Sequence, residues 1–154
     1  MKYFLMFFII HGLSFAFTTD SKIPDILPIK EGLYKSISSG YGMRVHPVLK
    51  KERFHHGIDF AAALGTPVRA TADGEVIEVA FKKNTYGNMV RIKHDNGVET
   101  LYAQLQDYSV QEGQKVQRGE MVGHVGNSGR STAPHLHYEV RVDGRTVNPI
   151  YSQP

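Results

Sequence analysis

Short alternations of apolar and polar residues, separated by glycines, run through most of this chain. Asn88–His94 (NMVRIKH) puts Val90, Ile92 and His94 on one side and Met89, Arg91 and Lys93 on the other. His135–Val142 (HLHYEVRV) alternates as cleanly, with Leu136, Tyr138, Val140 and Val142 on the side suited to a core. A period of two is the mark of a half-buried β-strand. Glu75–Phe81, Val98–Leu105 and Met121–Val125 are rich in residues that favour strands and predict three more. Asp95-Asn96-Gly97 between two runs, and Asp143-Gly144 after another, are tight-turn signals. Val110–Glu120 is polar, carries two glycines and reads as a surface turn. No stretch of helical length shows a helical apolar period. The pattern predicts an all-β domain, a compact antiparallel sandwich or barrel-like core.

The N-terminus breaks this pattern. Met1–Ala16 has Lys2, a mostly apolar run to Leu13, and Ser14-Phe15-Ala16 as a small-x-small site. That is the layout of a secretory signal peptide, and the run is too short to span a bilayer, which takes about 20 residues. Residues 17–35, with Pro24 and Pro28, read as a leader or linker, 36–150 as one domain and 151–154 as a tail. The mature protein is therefore expected to be exported, to the periplasm or to the extracellular space and cell wall, with no stable membrane insertion after cleavage.

Composition narrows the chemistry. With 154 residues, 41% of them hydrophobic and 21% charged, the chain is neither disordered nor fibrous. A net charge of +3 falls short of a nucleic-acid binder, and none is expected as a partner. Cysteine is absent, which excludes disulfides, thiolate metal sites and a cysteine nucleophile. Histidine carries the remaining interest.

Two clusters stand out. In Phe54-His55-His56-Gly57-Ile58-Asp59, His55 and Asp59 are four apart, an even offset that shares a face in extended chain. In Pro134-His135-Leu136-His137-Tyr138-Glu139, His135 and His137 are two apart and share the strand face opposite the core. Taken alone, a His-x-His on a strand is more often a satisfied polar pair than a metal site. Two such clusters in a cysteine-free chain point to a metal, and imidazole with carboxylate suits zinc better than calcium or magnesium. A catalytic zinc takes three protein ligands, so two histidines and one aspartate suffice and a further histidine is left to handle protons.

The ordered motifs carry a resemblance. Ser39-Gly40-Tyr41-Gly42-Met43-Arg44-Val45-His46-Pro47, Phe54–Phe60, Gly65-Thr66-Pro67-Val68, Tyr86-Gly87-Asn88, Gly126–Glu139 and Val147-Asn148-Pro149 occur in sequence. From about Ser36 to Ile150 the chain resembles the lysostaphin/LytM-type peptidoglycan zinc metallopeptidases. The resemblance implies a compact antiparallel β fold with a zinc groove. It implies His55, Asp59 and His137 as zinc ligands and His135 as a catalytic proton carrier or transition-state stabiliser. It also implies bacterial cell-wall peptidoglycan as substrate, with glycine bridges, D-alanyl cross-links and stem peptides all open. This chain departs from the family at Tyr102-Ala103-Gln104-Leu105, where a second catalytic histidine is usual. A glutamine amide can orient water or steady an oxyanion, but it cannot accept and return a proton.

His46, Tyr86, Asn88, Ser131 and Thr132 are the candidate substrate-binding residues, each in or beside these motifs. His56 is expected to point away from His55, and His94 and His124 lie in other predicted strands. A competing reading is a binding module that recognises wall peptides or activates another hydrolase through a protein partner. A lipoyl-like carrier, with Lys115 as its presented lysine, leaves both histidine clusters unexplained.

Overall fold

The computed structural model describes residues 24–46 and 49–150, so the signal-peptide and tail expectations lie outside it. Twelve strands and no helix occur among the described residues. They are β1 (Tyr34–Ser39), β2 (Gly42–Val45), β3 (Glu52–His55), β4 (Ile58–Ala62), β5 (Pro67–Arg69), β6 (Gly74–Lys82), β7 (Gly87–Lys93), β8 (Val98–Tyr108), β9 (Lys115–Val116), β10 (Met121–Val125), β11 (His135–Val142) and β12 (Arg145–Val147). The main sheet is antiparallel in the order β1-β4-β11-β8-β7-β6-β9. The strand β10 bridges β5 and β8, and β12 pairs with β11. The hairpin β2–β3 stands as a separate two-stranded sheet.

Strand alternation sorts the side chains. On β11, Leu136, Tyr138 and Val140 are buried in the main core, beside Ile58 and Phe60 of β4 and Tyr102 of β8. Pairing sets Tyr138 opposite Ile58 and Leu136 opposite Phe60, so these side chains share one face. The other face carries Ser39, Asp59, His137 and Ala103, each opposite the next across β1, β4, β11 and β8. The chemistry thus sits on the sheet face that the main core does not use.

The core also holds a chain of hydroxyls. Tyr102 and Tyr138 both reach Thr71 Oγ1 at 3.0 Å, and Thr100 links Tyr102 to His94. Each buried hydroxyl finds a partner, as burial requires.

Two expectations change here. Val110–Glu120 is not merely a surface turn: it contains β9, which pairs with β6, and it buries Val110 and Val116. Residues 24–35 do not behave as a linker. Ile29 is fully buried, Pro28 O accepts from Arg69 N at 2.9 Å, and Asp25 pairs with Arg118. Mixed polar residues hid this contact in the sequence, since the apolar positions of an irregular segment have no period to detect.

Candidate metal centre

Asp59 and His137 come from neighbouring strands and face each other in register. His55 arrives from the end of β3, and the chain then breaks at Gly57 before β4 begins. A Cβ at Gly57 would lie 2.2 Å from Tyr138 O, so only glycine lets this link run against β11. The result brings the three donor atoms together. His137 Nδ1 is 2.9 Å from Asp59 Oδ1, His55 Nε2 is 3.1 Å from His137 Nδ1, and His55 Nε2 is 3.2 Å from Asp59 Oδ1. All three residues are buried.

This donor set fits zinc. A tetrahedron with bonds of about 2.0–2.2 Å has ligand–ligand edges of about 3.4 Å, close to these separations. Each imidazole also has its far nitrogen fixed. His55 Nδ1 lies 2.6 Å from Gly40 O; a carbonyl only accepts, so Nδ1 carries the proton and Nε2 offers its lone pair inward. His137 Nε2 lies 3.0 Å from Glu139 Oε1. Such outer hydrogen bonds orient ligating histidines and set their tautomer.

Glu139 is fully buried and wholly engaged. It accepts from Tyr86 OH at 2.8 Å and from Arg141 Nη2 at 2.7 Å. Burial works against its charge, but His137, Arg141 and Tyr86 outweigh that and hold its pKa down to about 2. Burial likewise opposes charge on Asp59, yet hydrogen bonds from His137 and His55 hold its carboxyl well below the usual range. Burial opposes charge on His137 too; Asp59 and Glu139 outweigh it and lift its pKa to about 9. Burial, with Glu139 beside it, pushes the Tyr86 hydroxyl up.

His135 sits at the edge of the cluster, its Nε2 3.8 Å from Asp59 Oδ1. Its Nδ1 lies 2.9 Å from Ala133 O and therefore donates, leaving Nε2 free to act as a base towards the centre. Ser131 helps hold this ring, with its Oγ 3.0 Å from His135 Nδ1, and Thr132 lies exposed beside it.

Gln104 lines the hollow over the centre and is braced there. It is a β-bulge residue at φ +65°: Ala103 and Gln104 together occupy the place opposite Met89. Its amide donates to Thr85 O at 3.0 Å and accepts from Gly129 N at 2.7 Å. The side chain therefore ties together two loops that meet backbone to backbone, where a Cβ at Gly129 would lie 2.4 Å from Thr85 O. Its carbonyl oxygen and one amide proton are spent on that brace.

The other expected residues divide. His46 and Tyr86 line the hollow of about 240 Å³ over the centre, and Tyr86 packs its ring on His137 at 5.6 Å. Asn88 does not line it: its carboxamide donates to Leu105 O and Gln106 O, and Tyr108 OH donates to it. His56, expected to turn away, lines the edge with Nδ1 3.1 Å from Thr146 Oγ1. His94 and His124 are held elsewhere, against Asp73 O and Asp107. Glu139 was missed, though the alternation of β11 that joins His135 to His137 also includes it. Arg44, Arg53 and Arg130 line the hollow as well, and no spacing rule marked them.

Residues 53–149 match the family described as Peptidase family M23. The DD-carboxypeptidase/endopeptidase Mpg of Neisseria meningitidis serogroup B is 57% identical over 118 residues, covering 77% of this chain and 27% of that protein. The peptidoglycan DD-endopeptidase ShyA of Vibrio cholerae is 47% identical over 116 residues, covering 74% of this chain and 26% of that protein. The chain thus spans about a quarter of the length of these curated relatives. Among solved structures, a zinc containing peptidase from Vibrio cholerae superposes with a TM-score of 0.75 at 38% identity, over 82% of this chain and 39% of that one. The catalytic domain of lysostaphin from Staphylococcus simulans gives a TM-score of 0.68 at 30% identity, over 77% and 90%.

Proposed function

Because the chain belongs to peptidase family M23, we propose that it is an exported zinc metalloendopeptidase that cleaves peptide bonds in bacterial peptidoglycan. One observation carries this reading: His55, Asp59 and His137 offer three donor atoms that all lie within 4.8 Å of one another at the floor of a groove. The names of the relatives, a DD-carboxypeptidase/endopeptidase and a peptidoglycan DD-endopeptidase, support the substrate class.

His55 Nε2, the Asp59 carboxylate and His137 Nδ1 would hold the zinc. Zinc, when bound, supplies a Lewis acid for the scissile carbonyl and brings the pKa of water towards neutrality. Glu139 and Gly40 O keep the two imidazoles turned inward. His135, anchored through Nδ1, takes a proton from water at Nε2 and returns it to the departing amine, a step typically worth about 10²–10⁴-fold. Gln104 lines the groove and braces its wall, and its amide cannot accept and return a proton, so His135 is the one proton carrier in this reading. His46 and Tyr86 line the hollow over the centre and Ser131 and Thr132 the adjoining one, where the peptide would lie.

A second reading, a wall-binding or hydrolase-activating module, draws on the absence of a histidine at position 104. Zinc titration with parallel turnover assays separates the two. The enzyme reading expects one zinc per chain and turnover in the wild type, loss of both in His137→Ala, and retained zinc without turnover in His135→Ala. Zinc-independent binding of peptidoglycan without turnover in the wild type would favour the module.

A further inference from the structure

The groove carries more positive charge than holding a metal requires. Arg44 on β2 and Arg53 on β3 stand directly opposite each other in the hairpin. Like charges so placed destabilise a strand pair. Arg130, from the loop before β11, lines the same hollow. The carboxylates that line it are Asp59 and Glu139, and both are committed to the histidines and to Arg141. Among the described residues, neither Arg53 nor Arg130 makes an ion pair, and Arg44 only approaches Asp59, at 3.6 Å.

Two of these guanidiniums are incompletely satisfied. Arg44 Nε and Arg130 Nε are buried without a hydrogen-bond partner. Arg91 Nε shares that state, but its guanidinium is neutralised by Glu78 and Glu99. Buried donors almost always find partners, and an unmet one on a cation calls for an explanation. Arg44 and Arg130 also line a second hollow of about 440 Å³, which shares Asp59 and His135 with the first. The arginines thus stand where the two hollows meet, beside the centre.

We propose that Arg44, Arg53 and Arg130 bind a carboxylate of the peptide, so that the groove selects substrates with a free carboxylate close to the scissile bond. Guanidinium is suited to this, since its planar donors match a carboxylate two at a time. An incoming carboxylate relieves the Arg44–Arg53 repulsion and gives the three guanidiniums a counter-charge. Peptides with no carboxylate near the cut, such as bridges built only of glycine, become poor substrates. The inference rests on the peptidase reading for where the bond is cut, but the binding site stands or falls separately.

The test uses a cross-linked peptide dimer released from peptidoglycan and the same dimer with its carboxylates converted to carboxamides. Binding and cleavage of both are measured with the zinc-loaded wild type, Arg53→Gln and Arg53→Gln/Arg130→Gln. The wild type is expected to bind the free-acid dimer about 10- to 100-fold more tightly, with a similar ratio in kcat/KM. The ratio falls several-fold in the exposed-site variant Arg53→Gln and approaches one in the double variant. Equal binding of the two dimers by the wild type overturns the proposal. So does a preference that survives in both variants. A binding preference without cleavage of either dimer leaves the carboxylate site standing and removes the peptidase reading.

Discussion

Glu139 and Gly40 do the same work by different means: each fixes the outward nitrogen of one candidate ligand. That His135 and His137 share a face was legible because His-x-His on a strand needs only the period of two; the choice of His137 as ligand came from the resemblance. The brace made by Gln104 was not legible, because its conformation comes from a bulge and its partners come from loops distant in sequence. Gln104→Ala leaves Gly129 N without a partner, while Thr85 O keeps only its bond from Arg130 N; the unmet donor costs about 1–3 kcal/mol. The expected outcome is a lower Tm and a lower kcat/KM with unchanged zinc affinity; loss of zinc would contradict a bracing role. His94 supplies a pH test. Burial lowers its pKa from 6.5 against the opposing charges of Asp73, Asp95 and Glu99. The unfolded chain therefore takes up the proton first, so stability is full above about pH 6.5 and declines as pH falls towards the folded value. The Tm difference between the wild type and His94→Gln, measured from pH 7.5 to 5, isolates that decline from the opposite contribution of His137 and should shift against the wild type as pH falls.

At the level of elements, β10 and β11 coincide with the runs read from the sequence, and β6, β7 and β8 differ only at their ends. Alternation or a dense run of β-formers marked all five. The strand β4 escaped because Ile58–Ala62 is short and mostly apolar, and its partner β1 lies at the boundary of the expected leader. The sequence reads as extended chain or turn over His55–Asp59; the two residues belong to two strands broken at Gly57. That break matters for function. Gly57→Ala drives a Cβ into Tyr138 O and forces β4 away from β11. Overpacking of this kind costs about 1–3 kcal/mol. Because Asp59 and His137 sit on those two strands, zinc affinity should fall with it, measured by competition with a chelating dye. A variant that keeps wild-type affinity would separate the link from the site.

On the scale of the whole molecule, one sheet has its main core on one face and its chemistry on the other. Residues 24–35 belong to that core side, and none of them lines the groove. Ile29→Ala should therefore destabilise the domain by about 2–5 kcal/mol, read from urea unfolding, while leaving zinc binding intact. A loss below about half a kcal/mol would return the segment to the status of a linker. The most direct test of the account is a digest of purified peptidoglycan by the zinc-loaded protein, read by mass spectrometry, with Asp59→Ala alongside. New peptide termini in the wild-type digest that are absent with Asp59→Ala are the predicted result, and they name the bond. Folded, zinc-bound protein that yields no products at high concentration and long times would contradict the peptidase reading.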